Sequence, residues 1–247
     1  MEEEMVKQEL FDAALSSIEK VHKLSECRYN ETKSDRFVIL NELTRKIRTS
    51  FNAIHFIPFE QYEVLYPSVN LLFRSVIIDL MTSLLLILIK DEQLEDFLLI
   101  DNLRFIDSLK SALETEIDIR KHLYPQYINE YERLKSKYQI DLYDDLQDCL
   151  KSAKNVPWEK KERPVLEINK IRYTGQIKEI YQVLKSSEEL YDYAYLYKYY
   201  RLFSQSEHFS MKGRFINYKK DFHDEYYNKV LGFVYLGEKL IFEKYHK

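Results

Sequence analysis

Glycine and proline are scarce in this sequence, with 4 and 5 in 247 residues. Those two residues supply most of the special backbone angles that tight turns need, so a chain so poor in them is a weak candidate for a β-sandwich or barrel. It has no glycine-rich phosphate loop and no G-x-S-x-G elbow, which removes P-loop NTPases, Rossmann enzymes and α/β-hydrolases from consideration. Cysteine is equally rare. Cys27 and Cys149 do not form a C-x-x-C pair, and two isolated thiols in a chain of this size predict a reduced, cytoplasmic protein. The opening MEEEMVKQEL has neither the basic region nor the apolar run of a signal peptide, which points the same way. A net charge of -4 exerts no general pull toward nucleic acid or an anionic membrane, so any such contact would need a local basic patch.

What the chain does have is charge, at 32% of residues, and abundant Leu, Ile, Lys, Glu and Tyr. This composition predicts long helices with short connections, and hence an all-α, multi-helix bundle forming a single domain over residues 1–247. Leu10, Ala14, Ile18 and Val21 mark a first amphipathic helix, and Phe37, Leu40, Leu43, Ile47 and Phe51 a second, from Asp35 to Phe51. Glu19 and His22 form an E-x-x-H pair, half of a carboxylate-bridged dimetal site, but no second half follows and a solvated face is the expectation. The cluster Arg45, Lys46 and Arg48 reads the same way.

The segment at about 68–90, SVNLLFRSVIIDLMTSLLLILIK, is the most apolar in the chain, with Ser68 after Pro67 as its expected N-cap. It approaches the length of a membrane span, yet a span would hold Arg74 and Asp79 in hydrocarbon, so it is expected as the central buried helix with no membrane contact. Arg74 and Asp79 should then be supporting buried polar groups with partners on neighbouring helices. Helical periodicity continues from Asp91 to Lys137 and from about Leu142 to Ala153. The polar run SAKNVPWEKKERP predicts a surface loop at about 154–166, with Trp158 tucked against the body or exposed as a partner anchor.

The remaining sequence predicts three helical segments, the middle one being LYDYAYLYKYYRLFSQSEHFSMKG from Leu190 to Gly213. Its tyrosines, Tyr191, Tyr193, Tyr195, Tyr197, Tyr199 and Tyr200, are rings that bury a body and bond at the tip. On a helix Arg201, Ser204 and His208 fall on nearly one face, bringing a guanidinium, a hydroxyl and an imidazole together.

The run R-L-F-S-Q-S-E-H resembles the R-x(4-6)-H signature of HEPN domains, all-helical modules of bacterial defence and toxin-antitoxin ribonucleases. It has Leu202 where those nucleases usually carry a polar residue. The chain is also similar to uncharacterised all-helical bacterial families with an Arg in an early apolar helix, here Arg74, and a late Ser-x-x-x-His element, here Ser204 to His208. The HEPN resemblance implies metal-independent RNA cleavage without a cofactor, at a site composite across a homodimer. His208 would be base or acid, Arg201 would clamp the phosphate, Ser204 would donate a hydrogen bond, and Tyr197 or Tyr200 would stack an unpaired base. Beside that reading stands a non-catalytic helical module that binds a protein partner, in which Arg201 caps a carboxylate such as Glu189. A concave pocket at Arg201, Ser204 and His208 favours the first and burial the second.

Overall fold

The computed structural model describes residues 2–57, 62–123, 165–204 and 220–246, with isolated positions at 126, 129 and 133. His208, Gly213, Cys149 and Trp158 lie outside the described residues, as do the expected Leu142 to Ala153 helix and the 154–166 loop apart from Val165 and Leu166. Among those described are seven α-helices and one two-stranded hairpin, so the chain is all-α. They group into two compact units, one of Met1–Asp91 with Glu167–Lys247 and one of Glu92–Leu166.

The first unit is built on helices α1 (Glu2–Thr32), α2 (Asp35–His55) and α3 (Tyr62–Leu88). In α1 the side chains of Phe11, Ala14, Ile18 and Val21 recur every three or four residues and are fully buried, as 3.6 residues per turn requires. Lys33, at φ 54, ends the helix with a left-handed residue and reverses the chain. The two helices therefore run antiparallel: Phe11 packs on Phe51 with ring centroids 5.0 Å apart, and Glu19 meets Arg48 at 2.6 Å. That ion pair, with Arg45 bound to Glu42 and His22 facing Glu26 at 3.6 Å, occupies both the E-x-x-H pair and most of the basic cluster.

Helix α3 begins at Tyr62, earlier than expected, so Ser68 is not its N-cap and Pro67 lies inside it. A proline there removes one backbone donor near the start of the helix, and a long run of buried apolar residues follows to hold the helix together. Val76, Ile77, Leu80, Met81, Leu84, Leu85 and Leu86 are all at 0% exposure, on more than one face, because α3 is packed by several neighbours. Leu65–Leu88 is long and apolar enough to cross a membrane by length and composition; in this fold it is the central helix of the bundle. Buried Arg36 closes its end, with Nη1 donating to Leu86 O and Nη2 donating to Ile89 O and Asp91 Oδ1, both at 2.7 Å.

The second unit contributes α4 (Leu94–Leu123), whose exposed positions Asp101, Arg104, Ser108, Ser111, Thr115, Asp118 and His122 recur at three or four residues along one solvated face. Strands β1 (Leu166–Ile168) and β2 (Ile171–Tyr173) form a hairpin that the sequence reading did not anticipate. Asn169 and Lys170 both have positive φ, at 50 and 65, which is the two-residue type I′ turn. Leu166, Ile168 and Tyr173 are buried.

Three more helices complete the first unit: α5 (Ile177–Ser186), α6 (Leu196–Ser204) and α7 (Lys220–Tyr245). The Tyr227 hydroxyl of α7 donates to Asn70 Oδ1 of α3 at 2.7 Å, and a Cβ placed on Gly237 would meet Leu80 Cδ1 at 3.0 Å. Moving along α7 thus moves along α3 in the same direction, and Gly237 permits their close approach. At the far end Arg28 of α1 donates to Tyr245 O and His246 O, both at 3.0 Å, so the last helix also closes on the first.

Candidate functional site, a tyrosine-lined cleft

The site is assembled by α5, α6 and the 3₁₀ turn between them, Tyr191–Tyr195. Helix α5 is anchored at its start by Glu179, whose carboxylate accepts from Thr174 N and Thr174 Oγ1, each at 2.7 Å, and from Gln176 N at 3.1 Å. Its Ile180, Val183 and Leu184 face inward, leaving Tyr181 and Lys185 on the outer side. The Tyr-rich segment is not one continuous helix from Leu190. Leu190 and Leu196 are both buried six residues apart, a spacing that a straight α-helix does not return to one side and that two turns of 3₁₀ helix do. From Leu196 the α-helical stripe Leu196, Tyr199 and Phe203 takes over.

This stripe fixes α6 to the bundle through rings. Phe203 and Tyr227 lie 5.7 Å apart, Tyr227 stacks on Phe73 at 4.8 Å, and Tyr199 meets Tyr226 at 5.6 Å. The adjacent flank of α6 carries a ladder: Tyr181 stacks on Tyr197 at 4.8 Å, Tyr197 on Tyr200 at 5.8 Å, and the Arg74 guanidinium lies 5.3 Å over the Tyr200 ring. Such a cation over a ring is attracted by its negative face, so the ladder is held at its inner end by a charge from the central helix.

Tyr181, Lys185, Tyr191, Ala194, Tyr195, Tyr197 and Lys198 line a cleft of about 360 Å³. Tyr191 and Tyr195, 49% and 57% exposed, offer the most open ring surface. Lys185 Nζ stands 6.0 Å from the Tyr181 ring, and Lys198 Nζ 5.6 Å from that of Tyr226. A second cleft of about 390 Å³ adjoins the first and shares Lys185 and Tyr191 with it. Beneath them Tyr193 is half-buried, and burial, helped by Asp192 and Glu243, pushes its phenol up to about 12. Flat aromatic surface flanked by ammonium groups is suited to a neutral planar ring joined to an anionic group.

The sequence-predicted residues divide around this cleft. Tyr197 lines it, and Tyr200 forms the next rung of the ladder, half-buried. Arg201 is exposed on α6, one turn after Tyr197, and does not line the cleft. Ser204 donates its proton to Tyr200 O at 2.7 Å, a bond within the helix. Asp79 is buried, whereas Arg74 is half-buried. Glu189, the carboxylate that Arg201 could have capped, is paired with Lys244 at 3.3 Å. Among the described residues no group of three or more His, Cys, Asp or Glu could hold a metal ion.

Of the lining residues, Ala194 and Lys198 were not singled out in the sequence, and on α5 Tyr181 and Lys185 were missed as well. In EIYQVLK their spacing of four was a signal of a shared outer face, but nothing in the sequence joined that face to the tyrosines that follow. Comparison with protein-family models, with curated proteins and with solved structures found no match.

Proposed function

We propose that the protein binds single-stranded RNA, with unpaired bases resting on the tyrosines of the cleft and the backbone held by Lys185 and Lys198. The observation that carries this reading is the concentration of Tyr181, Tyr191, Tyr195 and Tyr197 around one cleft with two lysines at its edge. Every base has a ring face, so stacking on aromatic side chains contributes about 1–3 kcal/mol per base with little regard to sequence. The two lysines matter because the chain as a whole is acidic, at -4.

A second reading adds cleavage, for which Arg201 is exposed to solvent one turn beyond Tyr197, outside the cleft. As in the HEPN nucleases that its R-x6-H motif resembles, His208 would take the 2′-hydroxyl proton and Arg201 would stabilise charge on the phosphorane, with no metal. The site would be completed by a second copy of the chain.

Fluorescence anisotropy with a short labelled single-stranded RNA tests the first reading. Tyr191→Ala and Tyr195→Ala, which remove the two exposed rings, should each weaken binding about tenfold, following the stacking energy per base. Unchanged affinity in both would overturn it. Incubation of the same RNA with a metal chelator tests the second: the parent should cut it, and His208→Ala and Arg201→Ala should not, at an unchanged melting temperature. A parent that binds but never cuts is a binding module alone.

A further inference from the structure

We infer that the paired clefts select the 3′ end of an RNA strand through its free cis-diol. This rests on the RNA-binding reading and adds to it a preference that the tyrosines alone would not give. The two clefts differ in chemistry. The first presents rings, and the second presents Lys185, Ser186, Ser187, Glu188, Tyr191 and Asp192. A ribonucleoside is divided in the same way, a flat aromatic base joined to a polar sugar. With the base on the exposed rings of Tyr191 and Tyr195, the sugar falls beside the shared residues Lys185 and Tyr191, in the second cleft.

Glu188 and Asp192 then decide which sugar is accepted. Both are exposed carboxylates, and an ionised carboxylate only accepts hydrogen bonds. The 2′ and 3′ hydroxyls of a terminal ribose are two donors side by side, and hydrogen bonds to a charged acceptor are among the stronger ones. At an internal nucleotide the 3′ oxygen carries a phosphate, which has no proton to donate and brings negative charge toward two negative groups. A deoxyribose end keeps one donor and lacks the other. Lys185, common to both clefts, remains for the phosphate on the 5′ side of the bound nucleotide. Carboxylates would be a liability in a groove that tracks RNA backbone along its length, and they suit a place where the backbone stops.

The test uses the whole protein and one short 5′-labelled RNA prepared with three ends: 3′-hydroxyl, 3′-phosphate, and a 2′-deoxy terminal nucleotide. The 3′-hydroxyl form should bind about tenfold or more tighter than the 3′-phosphate form, with the deoxy end between them. In the Glu188→Gln, Asp192→Asn double variant the 3′-hydroxyl and 3′-phosphate forms should bind alike. Equal binding of these two forms to the parent overturns the inference while leaving RNA binding intact; so does a double variant that still discriminates. If none of the three RNAs binds, the RNA-binding reading itself fails, and this inference with it. Adenosine serves as competitor: displacement of the RNA by adenosine at concentrations near the RNA's own Kd would make a free ribonucleoside the ligand and overturn the strand-end assignment.

Discussion

Glu238 lies on α7 at 0% exposure, and neither of its carboxylate oxygens has a hydrogen-bond partner among the described residues. Burial pushes its carboxyl up to about 8, so at neutral pH it is held as the uncharged acid. Its folded pKa stands above the unfolded value of about 4.3, so folding takes up a proton here and this group's contribution to stability is greatest at low pH. The loss begins as pH rises past the unfolded value, grows through about 8, and then levels off at a total on the order of 5 kcal/mol. Urea denaturation from pH 5 to pH 9 should therefore show a falling midpoint in the parent and a much flatter one in Glu238→Gln. A parent midpoint that does not move would refute the buried, unpaired carboxyl. This residue was not singled out in the sequence, although it sits four after Val234 and three before Ile241 on the buried stripe of α7. Nor was Arg36. Its acceptors are carbonyls at Leu86 and Ile89, and no local pattern announces a partner fifty residues away.

Among elements, the hairpin and α5 are coupled through one side chain. Glu179 gathers three donors from Thr174 and Gln176, fixing where α5 starts and therefore where Tyr181 and Lys185 face the cleft. Glu179→Ala should lower stability by about 1–3 kcal/mol in a denaturant titration and weaken RNA binding in parallel, since the same bonds serve both. Loss of neither would mean that α5 is held by its apolar face alone. The helices themselves could be read from the sequence, because a 3.6-residue apolar period persists over many turns and errors average out. The short elements could not. The hairpin turns on Asn169 and Lys170 without the glycine that marks most such turns, and its strands are three residues each, too short for a period of two to stand out. The 3₁₀ turn at Tyr191–Tyr195 escaped for a similar reason: alternating tyrosines fit a helix or a strand, and only the burial of Leu190 and Leu196 against the bundle chose neither. The cleft inherited both gaps, so Tyr197 was found and its companions on α5 were not.

At the scale of the molecule, α3 is the helix to which α2, α5, α6 and α7 are all joined. Its amides from Val76 to Leu86 should exchange with deuterium only through global unfolding, as the slowest set in the chain. Faster exchange there than in α1 or α7 would show that the centre opens before its surroundings. The order in which these partners are made has its own effect. Contacts such as Arg28 to Tyr245 join the two extremes of the sequence, and the covering strip of α7 runs from Lys220. While a ribosome extends the chain, α1, α2 and α3 are complete long before α7 exists, and at roughly 5–20 residues per second the stretch in between takes on the order of ten seconds. For that interval Phe73 and Leu80 have no last helix to close on, so the nascent chain exposes an apolar groove that a chaperone, or a neighbouring nascent chain, is free to occupy first.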